Sequence, residues 1–107
     1  MKKDMRILDL SLTYHWYDMI ASGEKKEEYR EVKEFYIKRL CSLYSTDSES
    51  RFKHYDVVRF HRGQGGKETM LVEFKGVHIG YGKHPEWGAP SDKPVFIIEL
   101  GKVIEKS

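Results

Sequence analysis

One stretch of the sequence decides the fold class, namely YDVVRFHRGQGGKETMLVEFKGVHI at residues 55–79. Its two ends, residues 55–61 and residues 69–79, are rich in valine, isoleucine and phenylalanine, which favour β-strands. The glycine-rich segment between them, residues 63–66, has the composition of a tight turn, so the stretch predicts a β-hairpin. This turn lacks the lysine and the serine or threonine of a phosphate-binding loop, and we prefer the hairpin to a phosphate cradle.

The chain on both sides of the hairpin predicts further strands and a helix. Apolar and polar residues alternate over residues 6–12, which is typical of a strand with one face on a core. Residues 94–103 repeat the β-rich composition and predict a last strand. Residues 16–20 carry apolar side chains at helical spacing, and Gly23 supplies the left-handed residue that commonly ends a helix.

A second helix is predicted by a longer apolar stripe, with Glu34 and Lys38 paired on its opposite side. The stripe consists of Val32, Phe35, Tyr36, Leu40, Leu43 and Tyr44. Helices in the first half and strands in the second favour an α+β fold, and small sheets of this kind often curl into a barrel.

The composition limits the class of protein. Its 107 residues suit a single domain spanning residues 1–107, because two cores are difficult to build below roughly 150 residues. Cys41 is the only cysteine, so no internal disulfide can form, and the first residues lack the apolar run of a signal peptide. No stretch approaches the roughly 18 apolar residues needed to cross a membrane. We therefore expect a cytoplasmic protein with no membrane partner.

Metal and thiol chemistry are not indicated by the sequence. The five histidines show no paired spacing typical of zinc ligation, so we expect no metal and no cofactor. Cys41 has no CxxC partner and flanks the apolar stripe, which predicts a packed thiol rather than a nucleophile.

Positive charge is concentrated in residues 51–67. This window carries +4, while the rest of the chain carries −2 and the whole chain +2. Its cations are Arg51, Lys53, Arg59, Arg62 and Lys67, against the single anion Asp56. A basic strand and loop of this kind fits a phosphate-contacting surface and fits a solvated strand face about equally well.

A short motif, GEKKEEYR at residues 23–30, follows the first predicted helix. Lys25 and Arg30 place two cations just past the helix end, and Glu28 can balance one and leave the other for an anionic or polar ligand. The alternative is a surface network of ion pairs that contributes little stability.

This motif resembles the signature of the ASCH family, in which glycine, lysine, glutamate and arginine recur at the spacing seen here for Gly23, Lys25, Glu28 and Arg30. The resemblance covers essentially the whole chain, although Tyr55 stands where the family usually has glycine. It implies a small PUA-like β-barrel with two short helices in the N-terminal half. It also implies a charged cleft beside the barrel that binds RNA or a modified nucleoside.

The expected site combines the motif with later residues. The ligand-binding candidates are Lys25, Glu28, Tyr29, Arg30, Arg59, Arg62 and Glu73, with Arg59 and Arg62 on phosphate. Glu73 points away from its apolar neighbours along its strand, so it either lines the barrel mouth or is a solvated strand residue. Trp87, in the loop at residues 84–90, either stacks on a base or packs over one barrel end.

The resemblance also implies an alternative, a hydrolase on the same scaffold. In relatives that hydrolyse acetylcytidine a lysine, a threonine and a glutamate act together, and these align with Lys25, position 28 and Glu73. Glu28 replaces the threonine here, so catalysis by Lys25, Glu28 and Glu73 requires general-base activation of water rather than a hydroxyl nucleophile. Ribonuclease chemistry with Lys25 and Glu73 is a second form of this alternative, and a protein-interaction domain is a third possibility.

Overall fold

The computed structural model describes residues 4–42 and 51–107, which form an α+β fold whose sheet curls into a half-barrel. In chain order its elements are β1 (Ile7–Leu12), α1 (Tyr14–Ala21), β2 (Glu27–Glu31), α2 (Glu34–Leu40), β3 (Val57–Arg62), β4 (Thr69–Gly80), a 3-10 turn (Pro85–Trp87) and β5 (Val95–Lys106). The predicted α+β class is therefore confirmed. Within the described residues, no helix has both the length and the apolar content to cross a membrane.

The five strands form one mixed sheet in the order β1-β3-β4-β5-β2. β1 is parallel to β3, and the other three pairings are antiparallel. The β3–β4 pair is the predicted hairpin, joined through glycines with positive φ at Gly63 (78°) and Gly65 (72°). β1 and β2 are the two edges of the sheet, and the candidate site lies where these edges face each other.

The core fills the inner face of the curled sheet. On β1, Leu8, Leu10 and Leu12 are buried while Asp9 and Ser11 are not, as the alternation predicts. The other buried core side chains are Tyr17, Ile20, Leu40, Val58, Phe60, Met70, Val72, Phe96, Ile98 and Leu100. Burial of branched and aromatic side chains from all three central strands is what stabilises so small a domain.

Two parts of the N-terminal half differ from the prediction. Residues 27–31 form the strand β2, which the sequence does not predict. α2 is shorter than expected, because Val32 precedes it and is exposed, and because the backbone is already extended at Cys41 (φ −105°, ψ 143°). Leu43 and Tyr44 of the predicted stripe lie outside the described residues. The predicted Glu34–Lys38 ion pair forms, with 3.2 Å between Oε1 and Nζ.

Two local features hold the site in place. α1 ends as predicted at Gly23, whose φ of 86° is left-handed, and the following Lys25 amide still donates to the Met19 carbonyl at 3.0 Å. Tyr55 donates its hydroxyl to the Arg39 carbonyl at 2.6 Å and packs its ring edge-on against Phe74. Tyr55 therefore ties the end of α2 to the sheet.

Candidate ligand cleft

A cleft of about 820 Å³ lies between β1, α2 and the turn that joins β3 to β4. Its lining includes Asp9, Ser11 and Thr13 from and just after β1, Arg30 from β2, Phe35, Tyr36 and Arg39 from α2, His61 from β3, and the turn glycines. A smaller cleft of about 290 Å³ adjoins it and adds Glu28, Tyr29 and Trp16. Among the motif residues, Arg30 is the one that lines both clefts.

Arg30 spans the gap between the two sheet edges. Its Nε donates to Glu28 Oε2 at 2.8 Å, its Nη1 to the Tyr36 hydroxyl at 2.9 Å, and its Nη2 to the Ser11 carbonyl at 2.8 Å. Burial by itself lowers the pKa of Arg30, but the Glu28 carboxylate and the bond to Tyr36 outweigh it and raise that pKa. The guanidinium is therefore a fixed positive charge that joins β2, α2 and β1.

Lys25 is an internal anchor. Its side chain is almost fully enclosed, with 2% of the residue exposed. Nζ donates to the Glu27 carbonyl at 2.6 Å and to the Trp87 carbonyl at 2.7 Å, and it lies 3.3 Å from Glu28 Oε1. These three acceptors match the three donors of an ammonium group. Burial lowers the pKa of Lys25, and the Glu28 carboxylate works against that shift.

Glu28 connects the two cations. One carboxylate oxygen faces Lys25 and the other faces Arg30, and the residue is 5% exposed. The motif is thus a buried Lys–Glu–Arg network, not the exposed ion-pair network considered as the alternative. A buried network of this kind is costly to break, because removing one member leaves another uncompensated.

Tyr29 covers the Lys25 end of the Lys25–Glu28–Arg30 network. Its ring centroid lies 4.8 Å from Lys25 Nζ, and its hydroxyl donates to Glu27 Oε1 at 2.7 Å. Burial and the bond to Glu27 raise the pKa of the Tyr29 phenol, which keeps it neutral. Tyr29 faces the smaller cleft.

Glu73 lies away from this network, on the outer face of β4. Its neighbours Met70 and Val72 are buried, whereas Glu73 is exposed and its Oε1 accepts from the Lys102 amide at 3.3 Å. Glu28, in contrast, is buried beside its β5 partner Ile98. Glu73 is therefore a strand residue on the outer surface and does not line a barrel mouth. The structure does not bring Glu73 together with Lys25.

The two arginines expected on phosphate are each engaged by a carboxylate. Arg59 donates to both oxygens of Asp9, at 2.6 and 3.1 Å, and Arg62 to both oxygens of Asp18, at 3.0 Å each. His61 Nε2 lies 2.8 Å from the same Asp9. The bond from Arg59 is the main reason that the pKa of Asp9 is lowered. The carboxylates of Asp9 on β1 and Asp18 on α1 therefore offset the charges of two of the five cations in residues 51–67.

The cleft also contains residues that the sequence does not single out. Phe35 belongs to the predicted apolar stripe, yet it is 54% exposed and lines the cleft, with the Arg39 guanidinium 4.4 Å from its ring centroid. The four-residue spacing of Phe35 and Arg39 on a helix is a signal for that contact. His61 shares the polar face of its strand with Arg59, a parity visible in the sequence.

Trp87 contributes packing. Its ring stacks on His84 with 3.9 Å between centroids, and its carbonyl accepts from Lys25. Gly88 allows the neighbouring Trp16 to approach, because a Cβ there would lie 3.0 Å from the Trp16 ring. The loop is thus held against the protein at the Trp87 carbonyl and at Gly88.

Among residues 4–42 and 51–107, no three histidine, cysteine, aspartate or glutamate side chains are placed to hold a metal ion. Cys41 is half-buried, and burial raises the pKa of its thiol, which disfavours the reactive thiolate.

The basis for assigning a function is the set of contacts described above. No protein-family model, curated protein or solved structure matches this chain.

Proposed function

We propose that this chain is an ASCH-type domain of the PUA-like class that binds single-stranded RNA or a modified nucleoside in the 820 Å³ cleft. The observation that supports this most is the Phe35–Arg39 pair, an exposed ring with a guanidinium against it on the cleft wall. Pockets of 300–1,000 Å³ that join aromatic walls to a few polar groups are typical of small-ligand sites. Aromatic and arginine planes are also the groups on which unpaired RNA bases stack.

The cleft offers each part of a nucleotide a partner. A base stacks on Phe35, a contact that contributes about 1–3 kcal/mol per base. The base edges reach the Thr13 hydroxyl and the backbone at the end of β1. Ribose and phosphate face Arg39 and the turn at residues 63–66, where the absence of side chains at three glycines leaves room for close approach.

In this proposal the motif residues act mainly through Arg30. Lys25 and Glu28 hold its guanidinium in place, and Tyr29 shields the buried end of the network. Arg59 acts on the cleft wall through Asp9. The hydrolase alternative needs Lys25 and Glu73 in one site, and the exposed position of Glu73 does not support it.

The test is a binding panel of short single-stranded RNA, the matching DNA, and free nucleosides that include N4-acetylcytidine. A ligand at 100 times its dissociation constant adds about 2.7 kcal/mol of stability, which a thermal-shift assay detects. We expect Phe35→Ala to weaken binding about tenfold and Phe35→Tyr to preserve it.

Ile104→Ala is the matched control, because Ile104 is 53% exposed but does not line either cleft. Absence of binding by the wild-type protein to every ligand, or equal losses in Phe35→Ala and Ile104→Ala, would contradict the proposal.

A further inference from the structure

A second exposed aromatic ring lies beside the cleft at Tyr14, the first residue of α1. Tyr14 is 61% exposed, although it is a large ring. Thr13, which precedes it, and Gly63, which it contacts, both line the 820 Å³ cleft. The surface of Tyr14 is therefore continuous with the proposed binding site.

The contact with Gly63 is close. A Cβ at position 63 would lie 2.9 Å from Tyr14 Cε1 and 3.7 Å from both Cδ1 and Cζ, so the edge of the ring abuts the glycine. The Gly63 amide also donates to the Leu12 carbonyl at 2.6 Å, which fixes the turn against the end of β1. Both the glycine at the ring edge and the segment that carries the ring are thus held in place.

Arg62, the last residue of β3, also contacts the Tyr14 ring. The carbon at the centre of its guanidinium lies 4.3 Å from the Tyr14 ring centroid. Asp18 accepts two bonds from the same guanidinium and offsets its charge. Arg62 therefore serves Tyr14 as a stacked support more than it serves as a free cation for phosphate. A ring held in this way loses little conformational entropy when a ligand stacks on it.

We infer that Tyr14 is a second base-stacking subsite and that the ligand is a strand of at least two consecutive ribonucleotides. This inference rests on the proposed function. One base occupies the cleft beside Phe35, and the neighbouring base of the same strand stacks on Tyr14. Such stacking tolerates any base, because every base has a π-face. The ligand class is therefore single-stranded RNA rather than a free nucleoside.

The test compares three probes by calorimetry: ribonucleosides, the corresponding homodinucleotides, and dinucleotides with one abasic position, placed 5′ or 3′. The abasic probes keep the phosphate but lack a second base. For the wild-type protein we expect the dinucleotide to bind about tenfold more tightly than both other probes. Tyr14→Ala should remove this difference and leave the nucleoside affinity unchanged, whereas Tyr14→Phe should retain it.

Two further variants keep the outcome interpretable. Tyr14→Leu retains an apolar side chain beside Gly63 but has no aromatic face. Its affinities for the three probes should match those of Tyr14→Ala. Tyr81→Ala is the matched control, since Tyr81 is also 61% exposed but lines neither cleft.

Equal affinity of the wild-type protein for dinucleotide and abasic probe would overturn the second subsite while leaving the cleft intact. So would equal losses for nucleoside and dinucleotide in Tyr14→Ala. If no probe binds the wild-type protein, the proposed function fails, and this inference fails with it.

Discussion

Arg30 Nη2 and the Ser11 carbonyl oxygen lie 2.8 Å apart, and this hydrogen bond connects the two edge strands of the sheet. The strands β1 and β2 have no shared backbone ladder, since the strand order places them at opposite edges. The guanidinium that crosses the gap is held by Glu28 and Tyr36. Arg30 therefore closes the half-barrel through its side chain.

Replacing this arginine tests its structural role. Arg30→Met leaves the buried Glu28 carboxylate without its main partner, and loss of one member of a buried pair costs about 3–5 kcal/mol. Urea unfolding should show a fall of that size in the free energy of unfolding. Lys38→Met is the control, because its ion pair with Glu34 is exposed and is worth less than about 1 kcal/mol. Equal, small effects would mean that Arg30 does not hold the edges together.

Lys25→Met tests whether the buried lysine is an anchor or a ligand contact. The variant loses the bond to the Trp87 carbonyl and the positive charge 5.2 Å from the Trp16 ring centroid, so its tryptophan emission should differ from that of the wild-type protein. Its free energy of unfolding should fall by about 3–5 kcal/mol. Below the unfolding temperature, RNA affinity should fall less than in Phe35→Ala. A stable variant that has lost all binding would instead assign Lys25 to the ligand.

The Asp9 carboxylate predicts a pH dependence of stability. Hydrogen bonds from Arg59, with His61 adding to them, hold the pKa of Asp9 below the ordinary aspartate value of about 3.9. The folded protein therefore binds fewer protons at this site than the unfolded chain. The resulting stabilisation is complete above about pH 5 and is lost as the pH falls through the lowered pKa.

The measurement is the free energy of unfolding of the wild-type protein and of Asp9→Asn between pH 2 and pH 5. The difference should shrink as the pH falls below about 4. The double variant Asp9→Asn, Arg59→Gln should have the same pH profile as Asp9→Asn alone. A difference that stays constant down to pH 2 would contradict the assignment.

The salt dependence of RNA affinity distinguishes a cation that contacts phosphate from a cation that is already paired with a carboxylate. For single strands the slope of log affinity against log salt changes by about 0.7 for each phosphate contact. We expect Arg39→Gln to reduce the slope by about that amount. The control is the double variant Asp9→Asn, Arg59→Gln, which removes a mutually engaged pair without changing the net charge. A larger slope change in the double variant than in Arg39→Gln would place the phosphate at Arg59.

Two glycines with positive φ give a paired test of the Tyr14 contact. Gly23→Ala meets open space and should cost about 1 kcal/mol for the left-handed backbone alone. Gly63→Ala, with a similar φ of 78°, also places a Cβ 2.9 Å from the Tyr14 ring. Denaturant unfolding should therefore show a larger loss for Gly63→Ala. Equal losses would mean that the ring moves aside without cost.

The parts of the fold that could be predicted depend on local signals. The hairpin at residues 55–79 follows from strand composition and turn glycines, and the end of α1 follows from Gly23. β2 has no such signal, because EEYRE at residues 27–31 is almost entirely polar. It forms a strand through pairing with β5, some seventy residues later, and its buried charges balance one another instead of being replaced by apolar residues.

Of the candidate site, the sequence indicates the buried charged cluster but not the exposed cleft wall. The spacing of Lys25, Glu28 and Arg30 identified a charged cluster, and the structure brings those three together. Whether such a cluster faces solvent depends on neighbours that are distant in sequence, such as the Trp87 carbonyl. Phe35 belongs to the apolar stripe that predicts α2, but helical spacing alone does not tell a core-facing ring from one that faces a cleft.

The gap between β1 and β2 also affects how this fold can change over evolutionary time. Its width is set by the reach of a few side chains, chiefly Arg30 and Tyr36, and not by a continuous ladder of backbone bonds. Substitutions that leave the Lys25–Glu28–Arg30 network intact can alter the shape of the cleft while the central strands and their apolar interior stay as they are. In descendants of such a domain the cleft wall can therefore diverge faster than the sheet that carries it.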